Sequence, residues 1–242
     1  MENITNIKQN TTIVGTSKVC RLTAFFATML VLFLSAAAQD RMIPSEIRTG
    51  VRSRGYETAL FEYFDLWDAH GFAYLVVPSF TPEYCLTYNY KSKSLVLKKA
   101  TKSIYYTQEW YNSERWKTNR KINAAIYRLE ISDSLADSLQ ALIVSAVITS
   151  SFMGDTVFGH DGETYKFIIQ PSFAKIAQCW SPKASTNCGQ AVAIMKKLCE
   201  AVEAGNNKDA ESLINEIVRM TNIFRSFYPA GFHKENFFCR SR

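Results

Sequence analysis

Aromatic and basic side chains alternate through one stretch of this chain, residues 84–121. Eight tyrosines and tryptophans lie here among nine lysines and arginines, with only two glutamates. Aromatic rings stack on sugars and bases, and cations beside them attract anionic groups. On one exposed sheet face, such side chains would form a surface for a glycan or an anionic polymer of the cell envelope. The candidate ligand-binding residues are Tyr88, Tyr90, Lys98, Tyr105, Trp110 and Trp116.

The same composition has a structural explanation. Tyrosine and tryptophan favour β-strands, where they pack against helices, and lysines at a sheet edge prevent pairing with other chains. Composition alone does not tell exposed rings from buried ones, so both interpretations stay open.

A cysteine nucleophile is the first catalytic alternative. The pair Cys179-Trp180 is similar to the Cys-Trp pair of papain-like proteases. Those proteases begin a helix at the cysteine, whereas here the next predicted helix begins near Asn187. His233 is the only histidine downstream. A buried or disulfide-bonded Cys179 is the competing interpretation.

Pairs of carboxylates are the second catalytic alternative. Glu62 lies near Asp65 and Asp68, and Asp133 lies near Asp137. A glycosidase needs two carboxylates that face each other across a cleft, and neighbours on one helix do not provide this. Helix capping and exposure to solvent explain these groups better than catalysis does.

No pattern in the sequence predicts a metal site or a cofactor. The three histidines, His70, His160 and His233, have no second histidine or cysteine at ligand spacing. The sequence also contains no glycine-rich phosphate-binding motif.

Cysteine pairing depends on where the protein folds. Five cysteines follow residue 38, and they are Cys85, Cys179, Cys188, Cys199 and Cys239. Cys188 and Cys199 lie on one predicted helix, roughly 16 Å apart along its axis, which is too far for a disulfide. Cys179 and Cys188 would close a short loop and are the first disulfide candidates. Buried free thiols are the alternative.

The N-terminal segment is typical of an export signal. Lys18 and Arg21 precede an uncharged run, residues 22–38, that ends in three alanines. We therefore predict that residues 1–38 are a signal peptide and that the protein is periplasmic, on the cell surface or secreted. An uncleaved N-terminal membrane anchor is the alternative, although the run is short for a membrane span. The leader before Lys18 is long and polar, so the start codon could also lie downstream of Met1.

Charge excludes one class of partner. The chain carries 28 basic and 22 acidic residues, and the leader holds three basic residues and one acidic residue. The mature chain therefore has a net charge of +4, whereas nucleic-acid-binding domains concentrate a larger basic excess. No second apolar run is long enough to cross a membrane. We predict neither nucleic-acid binding nor a membrane contact after cleavage.

Hydrophobic patterning predicts one α+β domain, residues 55–242, after a flexible lead-in over residues 39–54. Strands are predicted at 72–77, 84–88, 94–98, 103–107, 123–131, 164–169 and 175–180. About three helices pack on this antiparallel sheet. One follows a cap at Ser132 or Asp133, one covers 187–205 and one covers 209–229, while a short helix over 57–70 is less regular. Asp161-Gly162 predicts the turn of a second hairpin between 157–158 and 164–169.

Asp161-Gly-Glu-Thr-Tyr-Lys-Phe167, then Trp180-Ser-Pro182 and a helix, resembles a D-G-x-x-Y-x-F…W-S-P arrangement in uncharacterised exported bacterial proteins. The resemblance covers about a quarter of the mature chain and implies an exported setting, but no activity. The expected function is therefore non-catalytic binding or structural interaction in the cell envelope. A small hydrolase using Cys179 or a carboxylate pair, and an inhibitor or immunity-type protein that binds another protein, are the alternatives.

Overall fold

The computed structural model describes residues 40–45, 55–67, 71–107, 122–151, 161–169 and 175–228. Residues 38–242 belong to one compact unit. The described part of this unit is an antiparallel sheet with helices packed against it, which confirms the predicted α+β class.

Seven strands form the sheet. In chain order they are β1 (Ile43–Ser45), β2 (Phe72–Pro78), β3 (Tyr84–Asn89), β4 (Ser94–Ala100), β5 (Ala124–Glu130), β6 (Glu163–Ile169) and β7 (Lys175–Trp180). Their spatial order is β1-β7-β6-β2-β3-β4-β5, and every pairing is antiparallel. Among the described strands, β1 and β5 are therefore the two edges of the sheet.

The helices outnumber the three or so that the sequence predicts. They are α1 (Tyr56–Tyr63), α2 (Ile104–Thr107), α3 (Asp133–Ile148), α4 (Asn187–Ala204), α5 (Asn207–Ser212) and α6 (Ile214–Arg225). The larger cluster of buried hydrophobic residues packs four helices, α3, α4, α5 and α6, against one face of the sheet. The smaller cluster packs α1 and α2 against the other face.

The two longest helices, α3 and α4, begin where their sequences predict, and α4 also ends at the predicted residue. The apolar stripe of α3, which includes Leu139 and Ile143, is buried against the sheet. Ser132 caps α3 by accepting a hydrogen bond from a backbone N–H, and Thr186 caps α4 in the same way. Gly205 ends α4 in the left-handed region, at φ +64°, where glycine lacks the steric cost of a Cβ.

On the other face, α1 covers the sheet only in part. Phe61 of α1 packs in one cluster with Leu75 of β2 and Ile168 of β6. Lys166 of β6 is almost fully buried and forms an ion pair with Glu57 in the first turn of α1, which fixes the helix on the sheet. Part of the face over β3, β4 and β5 remains open.

The strand predicted at 103–107 is wrong, because this segment begins the helix α2. Glu83, which is fully buried, accepts hydrogen bonds from the Ser103 hydroxyl at 3.2 Å and from the backbone N–H groups of Ile104 at 2.7 Å and Tyr105 at 3.0 Å. A carboxylate at a helix N-terminus satisfies N–H groups that have no partner inside the helix. The acceptor lies about 20 residues away in the chain, so local propensity does not reveal it.

Two further predictions need correction. The single helix predicted over 209–229 is two helices, because the Asn206 side chain caps α5 and the chain turns at Leu213 before α6 begins. The lead-in predicted as flexible contains β1, which pairs with β7. The first strand of the hairpin predicted around Asp161-Gly162, residues 157–158, lies outside the described residues.

Candidate functional site

A cavity of about 430 Å³ lies on the open part of the sheet face that carries α1. Its floor consists of side chains from β3, β4 and β5 that point to the same face because strand residues alternate between faces. The register forms two rows across these strands, one of Cys85, Lys98 and Ile126 and one of Thr87, Val96 and Arg128.

Three parts of the fold supply the rim of the cavity. Phe64 and Asp65 come from the end of α1, and Asn89, Tyr90 and Lys91 come from the turn between β3 and β4. On the third side, Ile126 and Arg128 belong to the edge strand β5 and are both exposed, Ile126 to 53%.

The cavity has an excess of positive charge. Of the described residues, three cations line it, Lys91, Lys98 and Arg128, against one carboxylate, Asp65. Lys98 is 3.0 Å from Asp65, donates to the Tyr63 carbonyl and lies 4.8 Å from the centre of the Tyr63 ring. Within the part of the chain that the structure describes, Lys91 and Arg128 have no ion-pair partner. In that part of the chain, an anionic ligand would not have to displace an ion-pair partner from either cation.

Tyr90 gives the cavity an aromatic surface. Its ring packs edge-on against Tyr88, with ring centres 4.9 Å apart, and remains 43% exposed. Gly71, at φ +133°, allows this position, since a Cβ there would come within 2.8 Å of the Tyr90 ring. Burial raises the pKa of Tyr90, so its hydroxyl stays protonated near neutral pH and can donate a hydrogen bond.

The structure brings together three of the six predicted ligand-binding residues. Tyr88, Tyr90 and Lys98 all line the cavity. The Tyr88 side chain, however, is only 6% exposed, because its ring stacks on Phe72 in the core at 5.5 Å. Tyr88 therefore positions the Tyr90 ring and has little exposed surface of its own for contact with a ligand.

Tyr105 lies apart from the cavity. Its backbone N–H donates to Glu83, and its ring packs edge-on against Tyr56 with ring centres 5.2 Å apart. Trp110 and Trp116 lie outside the described residues.

Sequence reasoning named Asp65 only within a group of carboxylates on one helix, and it missed Ile126 and Arg128 as site residues. The alternation in 123–131 places Ile126 and Arg128 on one face and Tyr127 and Leu129 on the other. The sequence could therefore have predicted that Ile126 and Arg128 share a face. Which face is open depends on where α1 ends, and no local pattern shows this.

The predicted disulfide between Cys179 and Cys188 is absent. Both cysteines are free thiols in the core, as are Cys85 and Cys199. A hydrogen bond with the Cys188 thiol and burial raise the pKa of the Cys179 thiol well above its usual value. Cys179 is therefore a protonated, buried thiol at neutral pH. Cys239 lies outside the described residues.

The described ranges contain no cluster of three or more histidine, cysteine, aspartate or glutamate side chains placed to bind a metal ion. They also contain no helix with the length and apolar character needed to cross a membrane.

The residues of the D-G-x-x-Y-x-F…W-S-P arrangement have architectural positions. Tyr165 and Phe167 are buried on β6, and Trp180 ends β7. The resemblance to exported bacterial proteins stays a prediction. No protein-family model, curated protein or solved structure matches the chain.

Proposed function

We propose that this chain is an exported, non-catalytic binding protein of the cell envelope and that its ligand is an anionic glycan. The cavity over β3, β4 and β5 is the binding site. The signal-like leader supports the location, and the chemistry of the cavity supports the ligand class.

One observation carries the proposal: two cations without ion-pair partners in the described structure, Lys91 and Arg128, line the same cavity as an exposed tyrosine ring. A guanidinium binds a carboxylate or sulfate through paired hydrogen bonds, and Lys91 adds a second positive charge. The Tyr90 ring offers a flat surface for the apolar face of a sugar.

Asp65 favours a sugar over a compact polyanion. Its carboxylate side chain is 77% exposed and accepts hydrogen bonds. A sugar hydroxyl can donate to such a group, whereas a dense polyanion would be repelled by it. An acidic sugar, with hydroxyls on one side and a carboxylate or sulfate on the other, fits both kinds of group.

The same chemistry supports binding more than hydrolysis. Among the described residues, Asp65 is the only carboxylate that lines the cavity, and it is paired with Lys98. Glycoside hydrolysis usually requires two carboxylates across the scissile bond. Cys179, the other candidate catalyst, is buried on the opposite face of the sheet in the helix-side core.

The test is calorimetric titration of the mature protein with tetragalacturonate, at low and at near-physiological salt. We expect saturable binding that persists at the higher salt concentration. Arg128→Gln and Tyr90→Ala should each weaken it at least about tenfold, which is the effect of losing one charge-assisted hydrogen bond or one stacking contact.

Controls separate a specific site from general attraction to a basic protein. Lys208→Gln removes a cation from α5, outside the cavity, and should leave the affinity unchanged. Maltotetraose, a neutral sugar of the same length, should bind much more weakly. Binding that vanishes at near-physiological salt, or that Lys208→Gln weakens as much as Arg128→Gln does, would count against the proposal.

A further inference from the structure

The outer edge of β5 carries backbone groups that do not bond to β4. Hydrogen bonds from Thr101 N–H to the Asn123 carbonyl, and from Ile131 N–H to the Lys93 carbonyl, fix the phase of the β4–β5 ladder. Odd-numbered residues of β5 therefore bond to β4, since bonding alternates along an antiparallel strand. The even-numbered residues direct their N–H and C=O groups outward.

Glu130 confirms this phase independently. Its carbonyl oxygen accepts a hydrogen bond from the Asn207 side-chain amide of α5, which lies outside the sheet. The outward groups of Ile126 and Arg128 have no such partner among the described residues. An unpaired strand edge of this kind is a template for another strand.

The Ile126 and Arg128 side chains at this edge also lack partners among the described residues. Ile126 is 53% exposed, and Arg128 is exposed without an ion-pair partner in the described ranges. Both point to the sheet face that carries the cavity. Directly opposite residues on neighbouring strands contact each other. Ile126 and Arg128 would therefore determine which residue types are favoured at the opposite positions of an added strand.

We propose that a protein partner binds by adding an antiparallel strand to the edge of β5. The strand has an acidic residue opposite Arg128 and, two positions later, an apolar residue opposite Ile126, so its motif is acidic–x–apolar. Every strand pair in the described sheet is antiparallel, which favours that direction. Main-chain hydrogen bonds provide affinity, and the two side chains provide specificity.

The acidic residue follows from charge. Among the described residues, Arg128 and the nearby cavity cations Lys91 and Lys98 outnumber the two carboxylates near this end of the edge, Asp65 in the cavity and Glu130 on β5. An acidic side chain opposite Arg128 forms a cross-strand ion pair, whereas a lysine there would be repelled. Arg128 also lines the cavity, so an anionic ligand bound there and the acidic residue of the added strand would compete for the same guanidinium.

The probe is a fluorescein-labelled peptide, Ser-Thr-Glu-Thr-Val-Thr-Ser, with blocked ends, and binding is measured by fluorescence anisotropy. Replacing Glu by Lys should weaken binding at least about tenfold, as should exchanging the Glu and Val positions. A methyl group on the backbone nitrogen of Glu or Val removes a hydrogen bond to β5 and should abolish binding. The same group on the central Thr, whose N–H points away, should have little effect.

A substitution in the protein tests the edge itself. Ile126→Pro removes an outward N–H and leaves the ladder to β4 intact, because Ile126 does not bond to that strand. Ile126→Thr is the matched control, since it removes the apolar side chain and keeps the N–H. We expect Ile126→Pro to bind the peptide at least about tenfold more weakly than Ile126→Thr.

Several outcomes would overturn the proposal. These are no binding of the Glu-x-Val peptide to wild type, equal affinities of Ile126→Pro and Ile126→Thr, or loss of binding only when the central Thr is methylated. Sedimentation of the wild-type protein tests a second copy as the occupant. If wild type forms dimers that Ile126→Pro disrupts and Ile126→Thr does not, a second copy of this chain pairs with the β5 edge. That result would overturn the proposal of a separate acidic partner. The methylated peptides keep the test valid if Ile126→Pro does not fold.

Discussion

The Glu163 carboxylate lies 2.8 Å from the Lys196 ammonium, and this ion pair joins β6 to α4. Tyr165, two residues along the same strand, donates its hydroxyl to the same carboxylate. The Lys196 ammonium also lies 5.0 Å from the centre of the Tyr165 ring. One carboxylate thus connects sheet and helix near the end of the sheet where β6 begins.

This arrangement predicts a specific loss of stability in acid. Burial would raise the pKa of Glu163, but the hydrogen bonds from Lys196 and Tyr165 outweigh it, and the pKa lies below 4.5, the ordinary value. The stabilisation is therefore complete above the ordinary pKa and is lost as pH falls through the lower, folded-state value.

In urea denaturation, we expect the free energy of unfolding to fall more between about pH 5 and about pH 3 for wild type than for Glu163→Gln. Lys196→Met should remove part of the difference, because it removes one of the two hydrogen bonds. Parallel pH profiles for wild type and Glu163→Gln would contradict the interpretation.

Glu83→Gln should destabilise the protein more than its small change in shape suggests. The carboxylate accepts from two backbone N–H groups and two hydroxyls, and an amide would turn a donor toward some of them. We expect a loss of about 1–3 kcal/mol in the free energy of unfolding. Glu62→Gln, at an exposed position on α1, is the control and should change stability by less than about 0.5 kcal/mol. Equal effects of the two substitutions would show that Glu83 does not fix α2.

Gly189→Ala should destabilise the start of α4. A Cβ at this position would lie 2.0 Å from the Lys183 carbonyl oxygen, and backbone cannot move aside as a flexible side chain can. We expect a loss of at least about 1–3 kcal/mol, measured as a lower urea midpoint. Gly205→Ala meets no atom within 4 Å and should cost only about 1–2 kcal/mol, from its left-handed backbone. A neutral Gly189→Ala would mean that the loop before α4 is loosely packed.

Local patterns in the sequence predict most of the fold. The α3 stripe, the caps at Ser132 and Thr186 and the end at Gly205 all follow from the residues that form them. The failures come from distant partners. Residues 103–107 have aromatic side chains that suit a strand, but the Glu83 carboxylate converts them to a helix. No window of local sequence contains both parts of that interaction.

The candidate site shows the same limit. Composition singled out Tyr90 and Lys98, which line the cavity, and Tyr88, whose ring strand alternation buries in the core. Asp65 reaches Lys98 only because α1 ends above β4. Asp65 and Lys98 are far apart in the sequence, and the packing of α1 on the sheet brings them together. No local sequence pattern predicts that packing.

Asp65→Asn should strengthen the binding of anions in the cavity. It removes the one carboxylate that the described structure places in the cavity lining, and it releases Lys98 from its ion pair. Asparagine still tolerates the left-handed backbone at φ +56°. We expect tighter binding of inorganic sulfate and a stability change of about 1 kcal/mol or less, because Asp65 is exposed. Lys93 and Asp133 form an exposed ion pair outside the cavity, so Asp133→Asn is the control. Unchanged or weaker sulfate binding by Asp65→Asn would place the anion elsewhere.

Reactivity of Cys179 decides between a binding protein and a thiol hydrolase. A nucleophilic cysteine needs a thiolate that substrate can reach, but Cys179 is 7% exposed, and Cys188 and burial raise its thiol pKa. Burial likewise raises the pKa of Cys199, to about 12. Iodoacetamide should therefore label neither cysteine in the native protein at neutral pH, and should label both in urea. Peptide mass spectrometry assigns the label to each cysteine. Rapid labelling of Cys179 alone, in a protein that remains folded, would instead favour the hydrolase, because only a reachable thiolate reacts in that way.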